Sequence, residues 1–258
     1  MDILIEEFFK ELSRNRHRLL LLDYDGTLAP FRKDRDLALP YPGVEDRLNR
    51  LLSLEKTQVT IISGRAVYDL KPLLNLKKYP EIWGSHGWEK LSPDGKYSLM
   101  EIEERHGKGL EIAANFISEN NLNSCLEIKP VSLAIHYRGL SPEIILEIEH
   151  KIVNNWNGLE AEYNLTHSRF DGGLELRIPG NNKGSVVKNV TTRFPDSTLA
   201  AYLGDDLTDE DAFAALPESA LSVLVRSEYR KTGAKVWLKP PRQLLEFFDR
   251  WIEIDTPA

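Results

Sequence analysis

The pattern of apolar and polar positions predicts short buried strands, each ending in a polar turn. Residues 19–22 are four consecutive leucines that run directly into Asp23-Tyr24-Asp25-Gly26-Thr27. Apolar runs of the same kind occupy 59–62 and 199–203, each followed by polar and glycine residues. A continuous apolar run suits a strand that is buried on both faces of a parallel sheet. Apolar residues at helical spacing predict helices around these strands, at 2–15, 43–55, 66–76 and 183–193.

Strands that alternate with helices predict an α/β fold with a doubly wound, mostly parallel sheet. The middle of the chain follows a different order. Its predicted elements are a helix at 106–121, strands at 125–129 and 132–137, a helix that Ser141-Pro142 opens, and strands near 159–165 and 174–178. This α-β-β-α-β-β order indicates a smaller α+β domain at 103–178, inserted into an α/β core formed by 1–102 and 179–258.

Composition and charge exclude several classes of function. The 258 residues are 41% hydrophobic and 28% charged, with a formal net charge of −7 and no stripe of Lys and Arg. A sequence-independent nucleic-acid site, which needs clustered positive charge, is therefore not expected. Cys125 is the single cysteine, which excludes an intrachain disulfide and fits a reducing cytoplasm. Since no stretch has the apolar length of a membrane span and the first residues lack the layout of a secretory signal, we expect a cytoplasmic protein.

The first candidate for chemistry is the turn that holds Asp23 and Asp25. Ligands of open α/β sheets bind beyond the carboxyl ends of the strands, where these two carboxylates lie. One carboxylate could attack an electrophile, the other could carry a proton, and both could bind a hard cation. Ser63-Gly64-Arg65 follows the next strand and could form an anion-binding corner at a helix N-terminus. Taken singly, each motif is also compatible with an ordinary turn.

Two further motifs lie near the third strand. Lys183 opens a helix, where it could neutralise phosphate charge or simply lie on the surface. Five carboxylates crowd residues 205–211, and helix capping accounts for Glu210 and Asp211 alone. Asp205 and Asp206 follow a buried strand, where burying carboxylates without a cation is costly. Mg²⁺ suits such a pair because it binds few carboxylates and bridges to phosphate oxygens. The four motifs together offer the parts that phosphoryl transfer requires.

In this order the motifs resemble the haloacid dehalogenase superfamily of phosphotransferases, with an αββ-type cap between the second and third motifs. More narrowly, the chain resembles trehalose-6-phosphate phosphatases. The stretches that carry the resemblance are DYDGTLAPF (23–31), SGR (63–65), GSHGWE (84–89), KPVSLAIHYR (129–138), ELRIPGNNKG (175–184) and GDDLTDEDAF (204–213). One departure is visible, because the family's more usual Glu-x-Arg-Pro is Glu175-Leu176-Arg177-Ile178-Pro179 here.

The resemblance implies a Rossmann-like core and a role for each motif. Asp23 would be the nucleophile and Asp25 the general acid/base. Ser63 and Lys183 would hold the transferring phosphate. The implied Mg²⁺ ligands are Asp23, the backbone carbonyl of Asp25, Asp205, and Asp206 or Asp209 in support. The implied substrate-binding residues are Gly64, Arg65, His86, Lys129, Arg138, Glu175, Arg177 and Asn181.

The function that follows is Mg²⁺-dependent hydrolysis of a disaccharide phosphate through an aspartyl-phosphate, with trehalose 6-phosphate as the favoured substrate in trehalose biosynthesis. The insert would act as a mobile cap that supplies specificity. Two alternatives stay open. One is a phosphatase for another glycosyl phosphate, such as glucosylglycerol phosphate or mannosyl-3-phosphoglycerate. The other is a catalytically silent sugar-phosphate-binding domain, which the presence of Asp23, Asp25 and Lys183 argues against. The sequence does not indicate an oligomeric state.

Overall fold

The computed structural model describes residues 3–32, 34–170 and 172–255. Two compact units make up the chain, Met1–Ser98 with Asn182–Ala258 and, between these segments, Leu99–Asn181. The insert expected at 103–178 lies inside the second unit. The helices and strands, in chain order, are α1 (Ile3–Arg14), β1 (Arg18–Leu22), α2 (Val44–Leu51), β2 (Thr57–Ile62), α3 (Val67–Leu70), β3 (Glu81–Gly84), β4 (Glu89–Leu91), β5 (Tyr97–Leu99), α4 (Glu104–Glu119), β6 (Leu126–Lys129), β7 (Ser132–His136), α5 (Pro142–Tyr163), β8 (Thr166–Phe170), β9 (Gly173–Arg177), α6 (Lys183–Thr191), β10 (Leu199–Gly204), α7 (Glu210–Ala215), β11 (Leu221–Val225), β12 (Val236–Leu238) and α8 (Arg242–Asp255).

The eight-stranded sheet of the first unit has the order β12-β11-β10-β1-β2-β3-β4-β5. Pairing is parallel from β12 to β3 and antiparallel between β3 and β4. In the register of the central strands, Leu20 lies between Ala201 of β10 and Val59 of β2. The predicted doubly wound, mostly parallel α/β sheet is confirmed.

Strand β1 explains why four leucines in a row are required. Leu20 and Leu22 belong to a core cluster that includes Phe9 of α1 and Phe248 of α8. Leu19 belongs to a second cluster, which includes Val187 of α6. Successive side chains of a strand point to opposite faces, so an apolar layer on each face requires an apolar residue at every position.

The parallel pairing of β10, β1 and β2 brings three motifs to one edge of the sheet. These neighbouring strands end at Gly204, Leu22 and Ile62, so their carboxyl ends lie at the same edge. Asp23, Ser63 and Asp205 each follow one of them directly. This edge is where the α/β architecture places ligands.

The second unit is a four-stranded antiparallel sheet with the order β6-β7-β9-β8. Helices α4 and α5 contact each other, and they contact β7 and β8 respectively. One face of the sheet carries buried apolar side chains, among them Leu133 and Ile135 of β7 and Leu174 of β9. The other face carries mostly polar side chains, because apolar and polar residues alternate along these strands and successive side chains point to opposite faces.

Two predicted elements differ in the structure. The strand expected at 159–165 is wrong, because α5 continues to Tyr163 and ends at Asn164, whose φ of 51° is left-handed. Asparagine tolerates that conformation and commonly ends helices. The helix expected at 66–76 is reduced to the four residues of α3 and one 3₁₀ turn, Lys71–Leu73. Pro72 lacks the N–H that a continuing α-helix needs. Across the described ranges, no helix combines the length and apolar character that crossing a membrane requires.

Candidate active site

Asp23 lies directly after β1, with its side chain buried between a cation and a hydroxyl. Lys183 Nζ donates to Asp23 Oδ1 at 2.6 Å, and Thr27 Oγ1 donates to Oδ2 at 3.0 Å. The backbone N–H of Asp23 donates to the carbonyl of Leu203 at 2.9 Å, which fixes the turn to β10. Burial raises the pKa of Asp23 to about 7, although Lys183 opposes this shift. The local charge therefore favours additional positive charge beside Asp23.

Lys183 is placed by the start of α6. Asn182 is the N-cap, its Oδ1 accepts from the backbone N–H of Ser185 at 2.8 Å, and its own N–H donates to Ser185 Oγ at 3.2 Å. This capping box fixes the first turn of the helix and Lys183 within it. Burial lowers the pKa of Lys183, but Asp209 and Asp23 raise it by more, so the ammonium stays charged. The side chain thus lies in the site and not on the surface.

Asp209 holds Lys183 and the turn after β10 together. Its Oδ1 accepts from Lys183 Nζ at 2.8 Å and from the hydroxyl of Tyr202 at 2.6 Å. Its Oδ2 accepts from the backbone N–H groups of Asp205 at 3.0 Å and Asp206 at 2.9 Å. Both carboxylate oxygens are therefore each engaged by two donors. Tyr202 reads in the sequence as one more apolar residue of a buried strand, which is why its hydroxyl was not predicted to take part.

Asp205 is a buried carboxylate with few compensating contacts. Its Oδ2 has no hydrogen-bond partner among the described residues, and Arg226 NH1 lies 3.7 Å from that oxygen. Burial and the neighbouring carboxylates Asp23 and Asp209 raise the pKa of Asp205 well above its usual range. A Cβ on Gly26, whose φ is +82°, would lie 2.1 Å from Oδ2, so the close approach of the two turns requires glycine at 26.

These carboxylates fit a divalent cation. Oxygens of Asp23, Asp205 and Asp209 all lie within 4.8 Å of one another, and all three residues are buried. Three carboxylates face only Lys183 and the more distant Arg226 among the described residues, and the buried Oδ2 of Asp205 accepts no hydrogen bond from them. Oxygen donors of this kind are what Mg²⁺ and other hard cations bind. The group does not include Asp206, which was expected as an alternative ligand.

Asp25, two residues after Asp23, is turned toward a different cation. Arg65 Nε donates to its Oδ2 at 2.7 Å and Arg65 NH2 donates to its Oδ1 at 2.6 Å. Arg65 was expected among the substrate-binding residues, and in the structure its guanidinium forms this bidentate pair with Asp25. The reason is topological, because Asp25 and Arg65 lie in turns that follow the neighbouring strands β1 and β2.

Ser63, Gly64 and His86 form a tightly packed corner. Ser63 Oγ accepts from the backbone N–H of Arg65 at 3.1 Å. The backbone N–H of His86 donates to the carbonyl of Ser63 at 3.0 Å, and that of Ser85 to the carbonyl of Arg65 at 2.7 Å. A Cβ on Gly64 would lie 2.7 Å from the His86 ring, so glycine lets the ring pack on this turn. Ser85 and His86 both have positive φ, 46° and 56°, a strained pair that these hydrogen bonds support.

The polar face of the sheet in the second unit carries a connected set of side chains. Glu175 on β9 is buried, and its Oε1 accepts from Lys129 Nζ at 2.8 Å and from Ser132 Oγ at 2.9 Å. Lys129 also lies 3.8 Å from Glu127 Oε2, which in turn lies 2.7 Å from His136 Nε2. The strand register puts all five side chains on one face.

Three further predicted residues lie in the same unit. Arg177 ends β9 opposite Ser132, and its buried Nε has no hydrogen-bond partner in the described part of the chain. Arg138 follows β7 and packs against Gly172. Asn181 donates from Nδ2 to the sulfur of Met100 at 3.1 Å.

The trehalose-phosphatase family model matches residues 21–237, which is most of the chain. The chain belongs to the trehalose-phosphatase family. It is 33% identical to the trehalose-phosphate phosphatase of Mycobacterium marinum over 245 residues, covering 90% of this chain but only 60% of that relative. A solved structure of the C-terminal domain of C. albicans trehalose-6-phosphate phosphatase is similar with a TM-score of 0.81 at 26% identity, covering 96% of each chain. A haloacid dehalogenase-like hydrolase from B. subtilis shares the fold, with a TM-score of 0.62 at 15% identity over 90% of this chain and 99% of that one.

Family membership confirms the resemblance that the motifs indicated. The structure also shows which of the predicted residues contact one another. Two groups of predicted residues are hydrogen-bonded within themselves, Asp23 with Lys183 in the first unit and Lys129 with Glu175 in the second. Sequence reasoning missed the supporting partners Thr27, Tyr202, Ser132 and Glu127. For Thr27 and Ser132 a signal existed, because each lies inside a stretch that carries the family resemblance.

Proposed function

We propose that this protein is a Mg²⁺-dependent phosphatase that hydrolyses trehalose 6-phosphate to trehalose and phosphate. One observation carries the proposal: in a chain of the trehalose-phosphatase family, buried Asp23 accepts from Lys183 at 2.6 Å, beside an oxygen of Asp205 that accepts no hydrogen bond from the part of the chain that the structure describes. Phosphoryl transfer needs a nucleophile, a fixed positive charge and a carboxylate that can bind a metal ion, all close to the phosphate. Asp23, Lys183 and Asp205 supply these three parts.

In the first step Asp23 attacks the phosphorus atom of the substrate. A bond forms between a carboxylate oxygen of Asp23 and phosphorus, while the bond from phosphorus to the sugar oxygen breaks. Asp25, in its protonated form, gives its proton to the departing sugar oxygen. The products are trehalose and an aspartyl-phosphate on Asp23. Lys183 and the hydroxyl of Ser63 hold the phosphoryl oxygens on which negative charge accumulates.

In the second step a water molecule attacks the phosphorus of the aspartyl-phosphate. Asp25, now a carboxylate, takes a proton from this water, and the bond to Asp23 breaks. Inorganic phosphate leaves, Asp23 is regenerated as a carboxylate, and Asp25 is again protonated. Lys183, which Asp209 holds at 2.8 Å, keeps its positive charge through both steps.

We assign the binding of Mg²⁺ to Asp23, Asp205 and the backbone carbonyl of Asp25. When bound, the ion supplies positive charge that offsets the repulsion between the carboxylates and the substrate phosphate. Asp209, whose two oxygens already accept four hydrogen bonds, is assigned to Lys183 and to the turn at 205–206.

Recognition of the sugar is assigned to the polar sheet face of the second unit. Glu175 lies buried on this face, where its Oε1 accepts from Lys129 and Ser132, and a carboxylate held in this way suits sugar hydroxyls as donors. The Nε donor of Arg177, without a protein partner in the described residues, suits a hydroxyl acceptor. Arg138 and Asn181 are further candidates on the same unit. Selectivity of this kind is worth roughly 1–3 kcal/mol per hydroxyl left unpaired.

The test is phosphate release from a panel of esters, each with Mg²⁺ and with excess EDTA. The panel contains trehalose 6-phosphate, glucose 6-phosphate, glucosylglycerol phosphate, mannosyl-3-phosphoglycerate and p-nitrophenyl phosphate. We expect the highest kcat/KM for trehalose 6-phosphate and no turnover in EDTA. A higher kcat/KM for another glycosyl phosphate would replace the substrate assignment. Absence of release from every ester would favour a binding domain without catalysis.

We also propose that this activity is cytoplasmic. The single cysteine, Cys125, is a free thiol of intermediate burial, which suits a reducing compartment. Fractionation of the source cells, followed by immunoblotting against compartment markers, would test this assignment.

A further inference from the structure

The two partners of the pair formed by Arg65 and Asp25 are buried to different degrees. The Arg65 side chain is 3% exposed, whereas the Asp25 side chain is 29% exposed. The guanidinium thus holds the carboxylate from its buried side and leaves its other side open to solvent. Two parallel hydrogen bonds, at 2.7 and 2.6 Å, fix the plane of the carboxylate as well as its position.

Arg65 is itself held at several points. Its backbone N–H donates to Ser63 Oγ at 3.1 Å, and its carbonyl accepts from the backbone N–H of Ser85 at 2.7 Å. Its guanidinium lies 5.7 Å from the centre of the Tyr24 ring, and the Tyr24 hydroxyl donates to the carbonyl of Ala38 at 2.7 Å. A side chain anchored in this way can orient a partner at little further entropic cost.

Another bidentate pair of the first unit shows the contrast. Arg47 donates from Nε and NH2 to the two oxygens of Asp249, at 2.9 and 2.7 Å, and joins α2 to α8. There the arginine is 25% exposed and the aspartate 34% exposed, so neither group is buried behind the other. The geometry of the two pairs is alike, but one joins two helices and the other lies at the strand ends beside Asp23.

We propose that Arg65 is a positioning residue, which orients Asp25 for proton transfer instead of binding the substrate phosphate. This inference rests on the proposed function. In the first step the Asp25 carboxyl gives its proton to the sugar oxygen as the bond from that oxygen to phosphorus breaks. In the second, the Asp25 carboxylate takes a proton from the attacking water. Both transfers need the carboxylate aimed at the reacting oxygen, which Arg65 provides.

The test compares Arg65→Gln and Arg65→Lys with the wild-type protein on two substrates. With trehalose 6-phosphate we expect Arg65→Gln to lower kcat by roughly 10- to 100-fold while KM changes by less than about threefold. Arg65→Lys keeps the charge with a single hydrogen bond, so it should recover part of kcat. With p-nitrophenyl phosphate the leaving group departs without a proton, so only the hydrolysis step should slow. Acid-quenched samples should then show aspartyl-phosphate accumulating on Arg65→Gln, by intact-protein mass spectrometry.

Two controls separate positioning from folding. Arg47→Gln removes the same two hydrogen bonds from Asp249 and should leave kcat on both substrates unchanged. In an Asp25→Asn background, Arg65→Gln should lower kcat no further, because the group it orients is gone. An additive loss in that background would overturn the proposal.

The remaining outcomes are also decisive. A KM for trehalose 6-phosphate raised by more than about tenfold with kcat retained would make Arg65 a phosphate ligand. Wild-type turnover in Arg65→Gln would overturn the positioning role and leave the proposed function standing. A wild-type protein that releases phosphate from no ester would overturn the proposed function and this inference with it.

Discussion

In the first unit the buried carboxylates of Asp23, Asp205 and Asp209 surround the single ammonium of Lys183. In the second unit Glu175 is buried to a similar degree, but Lys129 and Ser132 satisfy one of its oxygens and the set continues to Glu127. The two regions are therefore both polar and buried but differ in charge balance. The first sets three buried carboxylates against Lys183 and against Arg226, whose NH1 lies 3.7 Å from Asp205, whereas in the second Glu175 accepts directly from Lys129 and Glu127 lies 2.7 Å from His136.

Under the proposed function, this difference corresponds to a division between the chemical step and the recognition of the sugar. Burying excess negative charge costs stability, and it is maintained where a cation and a phosphate ester have to be held. A neutral hydroxyl needs no excess charge, only hydrogen-bond donors and acceptors that are already fixed in place. On this basis we expect changes in the first region to alter turnover for every ester. Changes in the second region should alter the choice of ester.

The largest effect is expected for Asp23→Asn. The amide cannot attack phosphorus, so phosphate release should fall by roughly 10⁴-fold or more for both trehalose 6-phosphate and p-nitrophenyl phosphate. Since burial already raises the pKa of Asp23 to about 7, losing its charge should leave the melting temperature unchanged or higher. Asp249→Asn, a change in α8 at a carboxylate that accepts from Arg47, is the matched control and should retain turnover. Turnover within tenfold of wild type in Asp23→Asn would contradict a covalent step on this residue.

The next effect concerns Asp205→Asn and is measured first as binding. At 100 times the dissociation constant, Mg²⁺ should stabilise the wild-type protein by about 2.7 kcal/mol and raise its melting temperature by several degrees. The variant should show a much smaller shift and lose most of its turnover.

In excess EDTA, where no Mg²⁺ stabilises the wild-type protein, we expect the variant Asp205→Asn to be the more stable of the two. Asp205→Asn removes a buried carboxylate whose pKa is raised well above its usual range, so the variant should then melt above the wild type. Equal melting temperatures of wild type with and without Mg²⁺ would argue against a cation at this group.

A smaller and selective effect is expected for Glu175→Ala. Losing its bonds to sugar hydroxyls should lower kcat/KM for trehalose 6-phosphate by roughly 10- to 100-fold and leave p-nitrophenyl phosphate almost unaffected. Glu149→Ala is the matched control, because Glu149 also accepts from a hydroxyl, that of Tyr137 at 2.7 Å, and from a cation, Arg169 at 2.6 Å. Glu149→Ala should leave the ratio of kcat/KM for trehalose 6-phosphate to kcat/KM for p-nitrophenyl phosphate unchanged. Equal losses on both substrates in Glu175→Ala would place this residue in the chemical step.

The features that the sequence predicted well are those with a strong local signal. Leu19–Leu22 must be apolar on both faces of β1, so the run and its polar turn mark a buried strand and its ligand end. The boundary of α5 was mispredicted because Leu159 and Leu165 fit a strand as well as a helix. What separates them is the left-handed Asn164 that ends α5, a helix-ending signal that the pattern of apolar positions does not show.

The arrangement of side chains within the site was harder to predict. Arg65 lies in a motif that suggests phosphate binding, yet its partner is Asp25, 40 residues earlier in the chain. Tyr202 looks like a core residue until its hydroxyl is seen to reach Asp209. Pairings of this kind depend on which strands are neighbours and on the direction of each side chain, and sequence motifs report neither.

The smallest effect tests charge balance within the first unit itself, at Glu81 on β3. Glu81 is buried, like Asp205, but it accepts from both terminal nitrogens of Arg193, at 2.9 and 2.5 Å, and from Trp83 Nε1 at 2.8 Å. Lys90 Nζ lies 3.0 Å from it. Burial raises the pKa of Glu81, but the hydrogen bonds from these groups lower it by more, to about 2.

Because this pKa is depressed from an ordinary value near 4.5, the ionised pair stabilises the fold fully above that pH, and the stabilisation is lost as the pH falls toward about 2. Glu81→Gln should therefore unfold more easily than wild type at pH 6, by roughly 2 kcal/mol in urea titrations, with a difference that shrinks as the pH falls below 4.5. Asp205→Asn is expected to have the opposite sign in EDTA, although both residues are buried carboxylates in one unit. If Glu81→Gln and Asp205→Asn changed the free energy of unfolding in the same direction, burial alone would explain both effects. The excess of carboxylates at the strand ends would then not account for the behaviour of Asp205.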